Sequence, residues 1–279
     1  MRVVSVDSQT SRAGRNLPAA VAVAVALVAI IIASLVFYKD LFLVVVAAAV
    51  LVALWELGRA LAASGSSLPA APLGLGALGM VFGSYYGGPD VLIVALAATV
   101  LSLILWRMPR GQQSFVRDVT ASIFCLVYVP FLASFVALLL APPDGVSRVV
   151  TFFAVTIASD TGGYVVGVLV GKHPMARVIS PKKTWEGFAG SALASMGAGV
   201  ACVAYLLDGP WWVGLLLGAV AAVTATLGDL AESLIKRDLG IKDMSNLLPG
   251  HGGLMDRLDS MLATVAVAWL VLHFLVPSG

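Results

Sequence analysis

The sequence predicts an all-α integral membrane protein, a polytopic bundle of about nine transmembrane helices with its N-terminus cytoplasmic and its C-terminus outside. Three observations lead there. Hydrophobic residues make up 60% of the 279 residues and charged ones only 11%, with a mean hydropathy of +1.00, well above the roughly half apolar content of a soluble domain. Apolar segments close to the ~20 residues that a bilayer core requires recur along the whole chain. When those segments are threaded across a bilayer, lysine and arginine fall almost wholly on one side.

The segments lie near residues 17–37, 41–58, 68–87, 89–106, 119–141, 149–171, 188–207, 211–230 and 254–276. The third and fourth meet across Gly87–Gly88–Pro89–Asp90, which predicts a tight hairpin. A polar leader, residues 1–16, precedes the first; the apolar run behind it is long enough to span, so no cleavable signal peptide is expected. Residues 17–148 read as N-terminal transmembrane helices. Residues 149–279 read as a C-terminal catalytic region with polar loops at 172–187 and 235–253. With the N-terminus inside, Arg2, Arg12, Arg15, Arg59, Arg107, Arg110, Arg117, Lys172, Arg177, Lys182, Lys183, Lys236, Arg237, Lys242 and Arg257 are cytoplasmic, and only Lys39 and Arg148 are outside. That is 15 against 2 of the 17 basic residues, and it turns both polar loops toward the cytoplasm. Cys125 and Cys202 sit in apolar runs and read as small buried hydrophobes, without a disulfide framework or zinc spacing.

The chemistry concentrates near the C-terminus. Asp229, Glu232, Ser233, Lys236 and Arg237 stand at offsets 0, 3, 4, 7 and 8, one stripe of a helix leaving the membrane. Asp229 reads as a metal ligand with cations one and two turns beyond it; the competing reading is a helix end whose charges pair with one another and snorkel. Next come Lys242–Asp243 and then Pro249–Gly250–His251–Gly252–Gly253. Glycines let a backbone approach a phosphate and turn N–H groups toward it. Asp256 and Asp259 open the ninth span on one side of a helix N-terminus with Arg257 between them, where carboxylates or a phosphate are stabilised by the helix dipole. Ser180–Pro181–Lys182–Lys183–Thr184–Trp185–Glu186–Gly187 can be topogenic charge with an interface tryptophan, or a binding site for an anionic head group or a nucleotide phosphate. Asp160, in Ser159–Asp160–Thr161–Gly162–Gly163–Tyr164, follows about a dozen apolar positions, so it must face a polar cavity or a partner cation.

Ser233-x-Ile235-Lys236-Arg237-x4-Lys242-Asp243-x-Ser245-x2-Leu248-Pro249-x-His251-Gly252-Gly253-Leu254-x-Asp256-Arg257-Leu258-Asp259 resembles the signature of the phosphatidate cytidylyltransferases, or CDP-diacylglycerol synthases. The stretches around Asp160 and Lys182–Lys183 resemble motifs of the same family. The likeness covers the C-terminal half, Ser159 to Asp259; the first five spans resemble the family in hydropathy alone. It implies an Mg²⁺-dependent transfer from CTP to phosphatidic acid in phospholipid biosynthesis, by a multi-pass enzyme of the plasma membrane whose active site faces the cytoplasm. No nucleic-acid partner is implied; a homodimer is. Small residues at Gly190, Ala194, Gly197 and Gly199 permit close helix packing within or between subunits.

On that resemblance Asp229 and Asp256 are the expected metal ligands, since Mg²⁺ usually takes one or two carboxylates with phosphates and water. Lys236, Arg237, Lys242 and Arg257 would hold the triphosphate and steady the leaving pyrophosphate, with Asp259 beside them as a further catalytic carboxylate. Lys182 and Lys183 would hold the lipid phosphate or CTP. Asp160, Ser233, Asp243, His251, Gly252 and Gly253 complete the expected substrate site, His251 as phosphate donor or loop organiser because an ionised phosphatidate needs no strong base. A CTP-dependent polyprenol or phytol kinase is the enzymatic alternative. A CDP-alcohol phosphotransferase would need a glycine after Asp229, where this chain has Leu230. A secondary transporter would need midplane sites and internal repeats.

Overall fold

The computed structural model describes residues 17–248 and 252–277, with side chains from Val25 onward. The leader with Arg2, Arg12 and Arg15 lies outside the described residues, as does His251. The chain runs α1 (Leu17–Phe37), α2 (Lys39–Ala63), α3 (Ala70–Arg107), α4 (Phe115–Leu126), α5 (Leu132–Leu140), α6 (Gly145–Val170), β1 (Pro174–Ala176), β2 (Ser180–Thr184), α7 (Trp185–Leu206), α8 (Trp211–Asp238) and α9 (Met255–Leu275). Among the described residues seven helices are long and apolar enough to cross a membrane, and Val25–Phe37 is a shorter apolar one. Their outer faces carry exposed Leu75, Val94, Leu169, Leu193 and Tyr205, an apolar surface that needs lipid rather than water around it.

The difference from nine arises at two places. Helix α1 runs over the whole first predicted span, Leu17–Phe37, and the part of it with described side chains, Val25–Phe37, is a shorter apolar helix. The third and fourth spans are arms of α3. Gly88 interrupts the helix with φ 74° and ψ −165°, a conformation open to glycine, and Pro89 next to it disfavours α geometry in the residue before it. The chain reverses there: a methyl on Gly76 would collide with Thr99, and one on Gly83 would lie 3.0 Å from Val91. Residues that far apart in sequence touch only in a hairpin. Each arm is about 27 Å long at ~1.5 Å per residue.

The fifth predicted span is one column, Phe115–Leu140, with a π-helical turn at Val127–Phe131 where Pro130 cannot donate to the ladder. That turn leaves Tyr128 half-buried, with its hydroxyl inside the bundle.

The two ends of the bundle differ. At one end Lys39 Nζ donates to the carbonyls of Leu140 (3.1 Å) and Pro143 (3.3 Å) after α5, and Arg148 donates to Leu272 O (2.8 Å) and Val276 O (2.9 Å) at the close of α9. Cations there offset the negative pole of each helix. Tyr86 Oη donates to Asp40 Oδ1 at 3.1 Å, which puts the α3 turn at this same end. Every other described lysine and arginine lies toward the opposite end, together with β1, β2 and the loop before α9.

Helices α6, α7 and α8 pack through small residues. A methyl on Gly190 would sit 2.7 Å from the Gly162 carbonyl oxygen, and Gly199 faces the Gly214 carbonyl oxygen closer still. Gly190, Ala194 and Gly199 are thus consumed within the chain, while Gly197 faces open space; the close packing expected of these residues is intramolecular and gives a homodimer no support. Gly199→Ala should destabilise the purified protein by about 1–3 kcal/mol, the usual cost of overpacking. Gly197→Ala should leave it unchanged or slightly more stable, and thermal melts of both variants in detergent check the contrast.

Candidate active site

Two polar segments expected as loops carry more structure than their composition suggests. Helix α8 continues to Asp238, because Ala231, Glu232, Leu234, Lys236 and Arg237 are good helix formers and Glu232 pairs with Lys236 one turn on (2.9 Å). Residues 174–184 form an antiparallel β-hairpin pairing Pro174 with Thr184 and Ala176 with Ser180. Its base is closed by Glu186, which accepts from the backbone N–H groups of Lys172 (3.1 Å) and His173 (3.2 Å). Thr184 caps α7 by accepting from Gly187 N at 3.1 Å.

The hairpin and helices α6, α8 and α9 surround a cavity of roughly 580 Å³. From the hairpin, Lys183 Nζ reaches Asp229 Oδ2 (2.5 Å) and the Thr226 carbonyl (3.2 Å). Lys182 stands exposed at the rim. From α6, Asp160 Oδ2 accepts from Ser260 Oγ at 3.0 Å. At the centre Lys236 donates to both Glu232 Oε2 (2.9 Å) and Asp256 Oδ1 (2.7 Å), tying α8 to α9. The second oxygen of Asp256 accepts from Met244 N (2.9 Å) and Gly253 N (2.8 Å). Asp259 Oδ1 accepts from Ser260 N at 2.7 Å, and its carboxyl neighbours Glu232.

Asp160, Lys182, Lys183, Asp229, Lys236, Asp243, Asp256, Arg257 and Asp259 all line the cavity. Ser233, Arg237, Lys242, Gly252 and Gly253 do not line it among the described residues. Helical geometry explains the first two. On α8, positions 229, 232 and 236 fall within about 60° of one another, and positions 233 and 237 turn to the flank. Lys242 is exposed on the loop. Gly252 adopts φ 84° and shapes the turn before α9 rather than touching the cavity.

Three residues are missed by the sequence reading. Glu232 was one member of a stripe, yet it is fully buried and its Oε1 has no hydrogen-bond partner among the described residues. Tyr128 Oη, buried in the same part of the bundle, is also without one. Glu56, from α2, accepts from Leu254 N (3.0 Å) and Met255 N (2.7 Å) at the start of α9. A lone carboxylate inside the second apolar segment was a signal for it, by the rule that singled out Asp160.

A basic and acidic cavity at one end of a membrane bundle is the setting in which the comparisons with known proteins can be read. The cytidylyltransferase family model matches residues 18–275, and the chain belongs to that family. It is 44% identical to the phosphatidate cytidylyltransferase of Mycobacterium leprae (strain TN), over 95% of this chain and 90% of that protein. It is 42% identical to the phosphatidate cytidylyltransferase of Mycobacterium tuberculosis (strain ATCC 25618 / H37Rv), over 96% of this chain and 86% of that protein. With the phosphatidate cytidylyltransferase of Staphylococcus haemolyticus (strain JCSC1435) the identity is 34%, over 61% of this chain and 64% of that protein.

Replacing Lys236 by Met leaves Glu232 and Asp256 without their shared cation. Breaking a buried pair in this way costs about 3–5 kcal/mol, so Lys236→Met should melt well below wild type in detergent. A melt within a degree or two of wild type would show that the triad does not hold α8 to α9.

Proposed function

We propose that this chain transfers the cytidylyl group of CTP to phosphatidic acid, giving CDP-diacylglycerol and pyrophosphate. The reading also makes it a multi-pass plasma-membrane enzyme of about nine spans, N-terminus cytoplasmic and C-terminus outside, with the site facing the cytoplasm. The observation that carries it is the cavity in which Lys183, Lys236 and Arg257 meet Asp160, Asp229, Asp256 and Asp259. The family membership and the mycobacterial relatives support the same activity. Two α3 arms of near-bilayer length support nine spans, and the charge asymmetry of the two ends supports the orientation.

Both substrates are strongly anionic, so the site must gather negative charge before any bond changes. Lys236 and Arg257 would hold the triphosphate. Lys183 and Lys182, on the hairpin, would take the lipid phosphate or CTP; all four line the cavity. An oxygen of the phosphatidate phosphate attacks the α-phosphorus of CTP; the new P–O bond forms as the bond from the α-phosphorus to the bridging oxygen breaks, and that oxygen's electrons leave with pyrophosphate. The nucleophile is already ionised near neutral pH, so no side chain has to remove a proton. Fixed cations facing the departing phosphates stabilise the charge that grows there.

The donor set fits Mg²⁺. The oxygens are hard carboxylates, and Asp229 is 41% exposed at its side chain. Mg²⁺ takes one or two protein ligands together with phosphate and water. Asp229 and Asp256 would hold it; when bound, such an ion neutralises phosphate charge in the transition state.

CTP labelled at the α-phosphate should label the lipid in the presence of phosphatidic acid and Mg²⁺, whereas γ-label should leave as pyrophosphate. Lipid labelled from the γ-position, with an alcohol supplied, would make the protein a kinase. Asp229→Asn should lower turnover by about two to three orders of magnitude, the scale of losing one preorganised electrostatic contact, with membrane insertion intact. Turnover within twofold of wild type would remove Asp229 from the mechanism.

A further inference from the structure

Glu56 sits two-thirds of the way along α2 and is only 1% exposed, yet its carboxylate belongs to the far side of the sequence. Oε1 accepts from Ser245 Oγ (2.5 Å) and Leu254 N (3.0 Å), and Oε2 accepts from Met255 N (2.7 Å). Burying a carboxylate in an apolar bundle is costly unless hydrogen bonds satisfy it, and here three do.

Asp256 supplies the other half of the arrangement. It takes Met244 N and Gly253 N, the residues next to Ser245 and Leu254. Outgoing residues 244–245 and returning residues 253–254 are therefore clipped together by two carboxylates, one from α9 itself and one from α2. Beyond the clip, Leu248 N donates to Gly252 O at 2.9 Å. The fit at the clip is close: a methyl on Gly253 would lie 2.8–3.0 Å from the Glu56 carboxyl. Helix α9 has no side-chain cap of its own, its N-cap being Leu254. Glu56 caps it from another helix, with a negative charge at the positive end of the helix dipole.

Glu56 does not line the cavity, so it acts through what it holds. We propose that Glu56 is a positioning residue for the nucleotide: it fixes the loop before α9 and the first turn of that helix, and so sets where Asp256 and Arg257 meet the triphosphate. This rests on the reading of the cavity as the CTP site. It gives α2, outside the C-terminal half that carries the motifs, a defined part in the reaction.

The test is Glu56→Gln in the full chain, purified in detergent. Glutamine keeps the size but turns an amide N–H₂ toward N–H donors. kcat/KM for CTP should fall roughly 10- to 100-fold, the scale expected when reacting groups shift by about an ångström. KM for phosphatidic acid should stay within twofold of wild type, and the Leu254 and Met255 amides should exchange hydrogen faster. Wild-type CTP kinetics in the folded variant would overturn the proposal, as would an equal loss toward both substrates accompanied by a lowered melting temperature. If Glu56→Gln does not fold, Ser245→Ala removes one of the three donors and leaves α2 intact. A smaller loss confined to CTP then supports the proposal, and unchanged CTP kinetics overturn it. Wild-type protein that labels no lipid overturns the cytidylyl reading and this inference with it, whereas active wild type beside an equally active Glu56→Gln overturns this inference alone.

Discussion

The structure of the polar end depends on one half-buried cation. Lys236 joins Glu232 on its own helix to Asp256 on the next. Glu232 is fully buried and Asp256 nearly so, with the Asp256 side chain 5% exposed. Two carboxylates that close would repel strongly in a low-dielectric interior; the ammonium between them turns that repulsion into a bridge. Once α8 and α9 are joined there, Asp256 is in place to take Met244 N and Gly253 N, and the loop between the helices is closed around it. The arrangement has the hallmarks of a buried ion pair that specifies geometry more than it adds stability, since hydrophobic side chains of similar volume would pack as well at lower desolvation cost.

The opposite end of the bundle shows the same physics used for structure alone. Lys39 and Arg148 are spent on the exposed carbonyls that end α5 and α9, groups that lipid cannot satisfy. Hydroxyls within the spans behave likewise: Ser134 and Thr156 donate back to the carbonyls four residues earlier, Pro130 and Phe152. Cross-helix bonds away from the cavity, such as those of Lys39 and Arg148, end on backbone carbonyls. At the cavity side chains pair with side chains of other elements, as Lys183 does with Asp229 and Ser260 with Asp160.

How legible this was varied with the kind of signal. Hydropathy located every apolar column, including the hairpin at Gly88, because glycine beside proline leaves the helix no way to continue. Local charge patterns singled out Asp229, Lys236, Asp256 and Lys183, which the structure brings to one cavity. Ser233 and Arg237 belong to the same stripe but do not line it, because positions written as offsets hide the 40–80° by which they leave the inward face. The segment holding Lys182 and Lys183 read as a loop because Pro, Lys and Ser are poor strand formers; its pairing is set by Glu186 and Thr184 at its base. Glu56 is not legible from the motifs, because the donors that satisfy it lie about two hundred positions later in the chain.

The charge balance inside the cavity constrains how anionic substrates are received. Asp229 holds Lys183, and Asp256 shares Lys236 with Glu232, so the lysines best placed for phosphate are already matched by carboxylates. A triphosphate entering such a site cannot simply add to it, because uncompensated charge near a membrane interior is expensive. It must take the lysines from the carboxylates, and the carboxylates then need cations in their place. On the proposed reading, a polyanion arriving with its own divalent counter-ion would meet both demands together, and a bare one only the first. The pairs that hold the cavity together would then also select what can displace them.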